Sequence, residues 1–210
     1  TKFLFECEDC PYIKGHFLPI LQRTRKNFRL KRKLFSANQN LTIVPVSEWV
    51  GDIVQKSFLK SHDIRVITNG VDTNYFKPTS PENIGIDGKG RLAGKFVIMA
   101  VSSQWKSGEK GLDDYVAMSK MLQEDEVIVL VGVGNDVSKH FPKNMIGVKR
   151  TNNQKELAAL YTRADVVCSF SKAETFGLTI VEGYACGAPA VVYDNTALSS
   201  LITPETGFVV

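Results

Sequence analysis

The sequence predicts a doubly wound α/β domain over residues 95–210, preceded by the tail of another domain of the same class. Three observations lead there. Apolar runs at 96–101, 127–131, 145–148, 166–170, 188–193 and 208–210 show no polar alternation, so the strands are buried on both faces, as under helices packed on both sides of a parallel sheet. Segments of helical periodicity at 111–123 and 154–163 stand between those runs, giving the strand–helix alternation of the class. A stretch rich in Pro, Gly, Asn and Asp at 77–94 has linker composition and marks the boundary.

Before the linker, residues 41–46 read as a strand. Ser47 is placed to cap a helix running to about Leu59, and 64–68 read as the next strand. Two strands are too few for a sheet domain of this class, so residues 1–76 are expected to be a domain's tail. The last strand ends on the last residue, and Thr1 stands where a start Met is usual. The chain is therefore expected to be a fragment. No signal-peptide pattern opens it, and no apolar run approaches the ~20 residues of a membrane-spanning helix.

At 43% hydrophobic and 23% charged residues, the composition excludes disordered and collagen-like classes. The cations are unevenly placed. Arg23, Arg25, Lys26, Arg29, Lys31, Arg32 and Lys33 follow one another without an acidic residue. Such a run is either a solvated helix face or connector, or a patch for anionic lipid head groups or a polyanionic acceptor. Phe28 is its only aromatic residue and no nucleic-acid reader module accompanies it, which argues against nucleic acid. Cys168 and Cys186 lie in apolar stretches and read as small buried side chains. Cys7, Cys10 and His16 offer three ligands where zinc takes four, so no metal is expected in this fragment unless further chain upstream supplies more ligands.

The segment Glu174-Thr175-Phe176-Gly177-Leu178-Thr179-Ile180-Val181-Glu182 follows the run at 166–170. A helix starting near Phe176 or Gly177 presents free N–H groups and a positive dipole end to a phosphate. Gly177 permits close approach of a ligand to the backbone. Glu182 falls one turn beyond Leu178 on the same face, and helical side chains lean toward the N-terminus. Its carboxylate suits two adjacent hydroxyls, as on a ribose. Glu174 stands at the mouth, where a sugar would sit. The plain alternative is a pair of solvated helix-end charges.

Residues 174–192, ETFGLTIVEGYACGAPAVV, closely resemble the signature of family 4 retaining glycosyltransferases, the glycosyl transferases group 1 of the GT-B fold, in which two Rossmann-like domains face each other. The segments RTNNQKELAALYTRADV, VPVSEWVGDIVQKSF and VITNGVDTNYFKP are similar to the family too, and the cysteines at 7 and 10 look like a bacterial capsule-polysaccharide subgroup. The resemblance implies that 95–210 bind a UDP- or GDP-sugar and that 1–76 end the acceptor-binding domain. Glu174 would contact the donor sugar and Glu182 the ribose. Gly177 and Leu178, after the aromatic Phe176, would hold the diphosphate, with Arg150 and Thr151 near the base. Lys110-Gly111 matches a lysine-glycine that faces the diphosphate. Gln104 stands where the family usually has arginine, with Trp105 beside it and Lys106 as a substitute cation. Gly183, where alanine is usual, and Ser199-Ser200, where an acidic residue is common, are further departures.

The implied activity is metal-independent hexosyl transfer with retention onto a glycan or lipid-linked acceptor, in bacterial surface polysaccharide synthesis. Lys110 would stabilise the departing diphosphate and Glu174 would position the sugar. The implied place is the cytoplasm, with peripheral contact to the inner membrane face through the basic run. The fragment alone is expected to be inactive. Three rivals were weighed. Gly132-Val133-Gly134 suggests a nicotinamide-dependent oxidoreductase, but Val137 occupies the third glycine position and the motif follows the second strand. A non-hydrolysing sugar-nucleotide epimerase would want histidines with Glu174, and His16, His62 and His140 are scattered. A catalytically silent sugar-nucleotide binder is the reading that Gln104 favours.

Overall fold

The computed structural model of this chain describes residues 23–80, 91–105, 108–151 and 153–210. Cys7, Cys10, His16, Lys106 and residues 81–90 of the expected linker lie outside the described residues. The chain divides into two compact units, Thr1–Thr68 and Asn69–Val210.

In the first unit the basic run is a helix, α1 (Thr24–Ser36), with no buried residue. It is followed by β1 (Thr42–Ile43), α2 (Glu48–Gln55) and β2 (Asp63–Ile64), the two strands pairing in parallel. Both strands are shorter than the apolar runs suggested. Ser47 caps α2 as expected, its hydroxyl accepting from the Val50 N–H at 3.2 Å. The helix stops before Leu59 because Ser57 turns the chain: its hydroxyl donates to the Val54 carbonyl at 2.8 Å and accepts from Leu59 N–H at 3.0 Å.

The second unit holds β3 (Phe96–Val101), α3 (Leu112–Ser119), β4 (Glu126–Val131), α4 (Asn135–Ser138), β5 (Met145–Val148), α5 (Gln154–Arg163), β6 (Val166–Ser169), α6 (Leu178–Ala185), β7 (Ala190–Val192) and β8 (Gly207–Val209). All six strands run parallel, in the order β5-β4-β3-β6-β7-β8. Counted within the unit this is third, second, first, fourth, fifth, sixth, the order of a doubly wound dinucleotide-type sheet. The expected fold class is therefore the observed one.

Burial on both faces follows the strand period. Val97, Met99, Val127, Val129 and Val167 join Leu160, Tyr161, Ile180 and Leu198 in one apolar layer. Their neighbours Ile98, Ala100, Ile128, Leu130 and Cys168 join Trp105, Tyr115 and Phe170 in the other. The helix expected to reach residue 123 ends at Ser119, because the next turn tightens (Met121 N–H to Met118 carbonyl, 2.9 Å) and the Glu126 carboxylate takes the Gln123 N–H at 2.8 Å. The second unit begins before the linker-rich stretch. Phe76 is buried in its core, edge-on to Tyr161, which ties residues after Thr68 to this unit.

Candidate functional site

Between β3 and β6 the winding direction of the sheet reverses, the switch point at which sheets of this class place a ligand crevice beyond their strand ends. Loop 102–111 runs from β3 into α3, and loop 170–177 from β6 into α6. Lys110, Glu174 and Gly177 all come from these two loops. Their grouping is therefore set by strand order, although 64 residues separate Lys110 from Glu174.

The loops are fastened together. Gly111 N-caps α3 at φ +70°, and a Cβ there would lie 2.6 Å from the Phe170 carbonyl oxygen. Lys172 N–H donates to the Glu109 carbonyl at 2.8 Å. This closeness lets Lys110 Nζ reach Glu174 Oε1 at 2.5 Å and the buried Ser171 Oγ at 3.2 Å. The two charged side chains are 21% and 27% exposed, open enough for a ligand to take a partner's place.

From the β7 side, Thr196 Oγ1 accepts from Glu174 N–H at 3.2 Å and donates to Asn195 Oδ1 at 3.2 Å. Thr196 holds φ +51°, uncommon for a β-branched residue. Beneath the loops, Phe170 stacks between Tyr115 and Tyr193, with ring centroids at 4.6 and 4.9 Å. Tyr115 OH donates to the Cys168 carbonyl at 3.0 Å and accepts from Phe170 N–H at 3.3 Å. Trp105 is buried, its indole N–H on the Val131 carbonyl at 2.9 Å. It therefore serves the core rather than the crevice.

Gly177 N-caps α6 at φ +102°, where a Cβ would meet Leu198 Cδ2 at 2.6 Å. The first turn of α6 has no side-chain cap, so its leading N–H groups keep the positive end of the helix available to an anion. Phe176 is 5% exposed; only its backbone can face a ligand. One turn beyond Leu178, Glu182 Oε2 accepts from Tyr161 OH at 2.9 Å. Burial pushes the Glu182 carboxyl above the usual carboxylate range, the Tyr161 hydrogen bond pulling it back down. Gly183 has a packing reason: a Cβ there would lie 2.9 Å from Val167 Cγ2 on β6, so alanine would require Val167 or α6 to shift.

The remaining expected residues are less gathered. Gln104 is exposed on the β3 loop, its N–H on Ser102 Oγ at 3.1 Å. Arg150 and Thr151 leave β5, the sheet edge two strands from β3. Sequence reasoning missed Ser171, Thr196 and Tyr161. Ser171 and Thr196 sit in loops without periodicity, and Tyr161 looks like any core residue of an amphipathic helix.

The rival motifs have structural explanations. Gly132 and Val133 both donate to the Val148 carbonyl at 2.9 Å, so this glycine turn ties β4 to β5 and leads only into the four-residue α4. His62 lies in the first unit and His140 follows α4, away from the β3–β6 crevice in the strand order. Cys168 and Cys186 are buried free thiols, and burial pushes them up to about 12 and about 11. Among the described residues no three His, Cys, Asp or Glu side chains are grouped to hold a metal ion.

Known proteins share the fold of this chain. The chain is 41% identical over 56 residues to a GDP-mannose-dependent alpha-(1-6)-phosphatidylinositol dimannoside mannosyltransferase of Mycobacterium tuberculosis, 27% of this chain and 15% of the relative. Among solved structures it superposes on sucrose-phosphate synthase from Thermosynechococcus elongatus with TM-score 0.73 and 19% identity, covering 100% of this chain and 53% of that one. The Anabaena HepE structure in complex with UDP and glucose gives TM-score 0.69 at 22% identity, covering 88% and 53%. The chain thus spans about half the length of these solved relatives, and the likeness shows the shared fold. The family model described as "Glycosyl transferases group 1" matches residues 92–210. That match takes in the crevice, both fastened loops and the α6 N-terminus, and the chain belongs to the glycosyl transferases group 1 family.

Proposed function

We propose that the second unit binds a nucleoside-diphosphate sugar and that the protein transfers its sugar, with retention, to a glycan or lipid-linked acceptor. The observation that supports this most is the contact of Lys110 with Glu174 at the switch point of the sheet, on the loop that leads into the uncapped α6 N-terminus. A cation and a helix N-terminus on two fastened loops suit a diphosphate, and the partly buried carboxylate suits sugar hydroxyls.

In the step we propose, the bond from the sugar's anomeric carbon to the diphosphate oxygen breaks and the acceptor oxygen bonds to that carbon on the same face. The acceptor's proton passes to the departing phosphate. Negative charge grows on the diphosphate, where Lys110 and the α6 N–H groups stabilise it. Glu174 exchanges Lys110 for the sugar's hydroxyls and orients it, while Glu182 holds the ribose. Gln104, Phe176, Gly177 and Leu178 border the diphosphate, and Arg150 with Thr151 the base. In this reading lysine and helix supply the positive charge without a metal ion.

Nucleoside diphosphate release from GDP-mannose and UDP-glucose, the donor named for the mycobacterial relative and one bound in another solved Anabaena HepE structure, is the decisive measurement. It should require an acceptor, persist in EDTA and fail in Glu174→Ala. Tight nucleotide binding without turnover in the intact protein would instead support the silent binder that Gln104 suggests, and interconversion of the sugar without transfer would support an epimerase.

The proposed acceptor belongs to bacterial surface polysaccharide synthesis on the cytoplasmic side of the membrane. Among the described residues no helix is long and apolar enough to cross a membrane. Helix α1, however, carries the basic run together with Leu30 and Leu34, 53% and 60% exposed, a composition suited to an anionic lipid surface. Sedimentation with phosphatidylglycerol vesicles should fall when Arg29, Lys31, Arg32 and Lys33 are replaced by glutamine. Unchanged sedimentation would remove the membrane from this proposal.

A further inference from the structure

Tyr161 is wholly buried, yet its hydroxyl is committed to a side chain of the candidate site instead of a backbone carbonyl. It sits on α5 with its ring edge-on to Phe76, centroids 6.2 Å apart, and donates to Glu182 Oε2 at 2.9 Å. Buried tyrosine hydroxyls need a partner, but a half-buried carboxylate one turn into the site helix is a costly choice for packing alone. One carboxylate oxygen of Glu182, Oε2, is thereby fixed by the Tyr161 hydroxyl.

We infer that Tyr161 is a positioning residue, whose hydroxyl fixes the rotamer of Glu182 so that Oε1 is presented to the ribose hydroxyls of a nucleoside diphosphate. The inference rests on the donor-site reading of Glu182 given above. A glutamate on a helix has three rotatable side-chain bonds, and a free one would sample several rotamers before meeting a ligand. The anchor comes from a rigid neighbour. Tyr161 is clamped between Phe76 and the sheet-facing layer, and the glycine at 183 keeps α6 close, with a Cβ there only 3.6 Å from Tyr161 Cδ1. The same hydrogen bond favours the charged carboxylate against the burial that disfavours it. Tyr161 thus gives the carboxylate a direction and favours its charged form.

The test titrates UDP, GDP, their 2′,3′-dideoxy counterparts and inorganic pyrophosphate into the intact protein by calorimetry. In Tyr161→Phe the ribonucleotides should bind about fivefold to tenfold more weakly. The preference for ribo- over dideoxynucleotide should shrink by the same factor, and pyrophosphate binding should not change. Adding Tyr161→Phe to Glu182→Gln should produce no further loss. A merely structural role would weaken all five ligands alike, or none, and leave the ribose preference intact; either result overturns the inference. Glu182→Asp serves if Tyr161→Phe does not fold, since it keeps the charge but withdraws it from the Tyr161 hydroxyl. It should lose the same preference, and retention of the preference overturns the inference. If Glu182→Gln itself leaves the ribose preference unchanged, the donor-site reading fails and Tyr161 falls with it. If only Tyr161→Phe is silent, the donor site stands and Tyr161 alone is excluded.

Discussion

Lys110→Ala is expected to lower kcat for sugar transfer about a hundredfold to a thousandfold, while the Kd for the nucleoside diphosphate rises far less. The asymmetry follows from where charge develops. In the free protein Lys110 already has partners, Glu174 at 2.5 Å and Ser171 at 3.2 Å. A bound donor must draw the ammonium from them, and this exchange offsets much of the lysine's contribution to ground-state binding. As the sugar leaves, the diphosphate gains charge that the bound donor lacked. The lysine then interacts more strongly in the transition state than in the complex, and such a difference appears in kcat. Losing one preorganised donor of this kind costs about two to three orders of magnitude in enzymes. Lys110→Arg should recover only part of the rate, because a planar guanidinium does not reproduce a compact ammonium seated between a hydroxyl and a carboxylate. Steady-state kinetics with calorimetric Kd values checks this. A Lys110→Ala variant within threefold of the parent kcat would remove the lysine from the step.

Glu182→Gln is expected to weaken nucleoside diphosphate binding about tenfold to a hundredfold, since a carboxylate accepting from sugar hydroxyls makes charge-assisted hydrogen bonds. The same change should stabilise the fold at neutral pH. Burial holds the Glu182 carboxyl above the usual carboxylate range, so the native state keeps its proton to a higher pH than the unfolded chain does. The resulting stability is fully present below the unfolded value and is lost as pH rises through the native one. At neutral pH the ionised, half-buried group therefore stands as a cost of the site, and glutamine removes the charge while still accepting from Tyr161. Thermal unfolding of parent and variant across pH checks the sign. The Tm difference should favour the variant near neutrality and close as pH falls below the usual carboxylate range. Tighter binding together with lower Tm at neutral pH would contradict both halves.

Function and stability pull apart at this one residue, and the reason is geometric. The Glu182 carboxylate hangs from a helix pressed against the sheet, where Gly183 admits Val167. A glutamate in the second turn of such a helix cannot be fully solvated. Its neighbour Tyr161 is deeper still, and burial pushes the phenol up as well. The pair is a polar intrusion into an otherwise apolar layer, of the kind expected where a binding site is built into a core.

The class of the fold was legible because its cause is local and repetitive. Continuous apolar runs at 96–101, 127–131, 145–148 and 166–170 have one explanation when helical segments at 111–123 and 154–163 stand among them: burial on both faces of a parallel sheet. The observed β3, β4 and β5 fall on those runs, and α5 falls on the expected 154–163. The helix-opening glycine at 177 and the spacing of Glu174 from Glu182 were likewise readable, because they depend on one loop and one helical turn. Ends governed by single hydrogen bonds were not, as with Ser57 cutting α2 short.

Along the chain, then, amino-acid order alone determined the main strands, the helices at 154–163 and after Gly177, and the two glutamates beside that helix start. Only the tertiary structure decided which distant groups meet. Periodicity reports the burial of each element but carries nothing about strand order, and strand order brings β3 beside β6. That adjacency sets Lys110 on Glu174 and Ser171. The packing of α5 against α6 joins Tyr161 to Glu182, and the β7 loop brings Thr196 under Glu174.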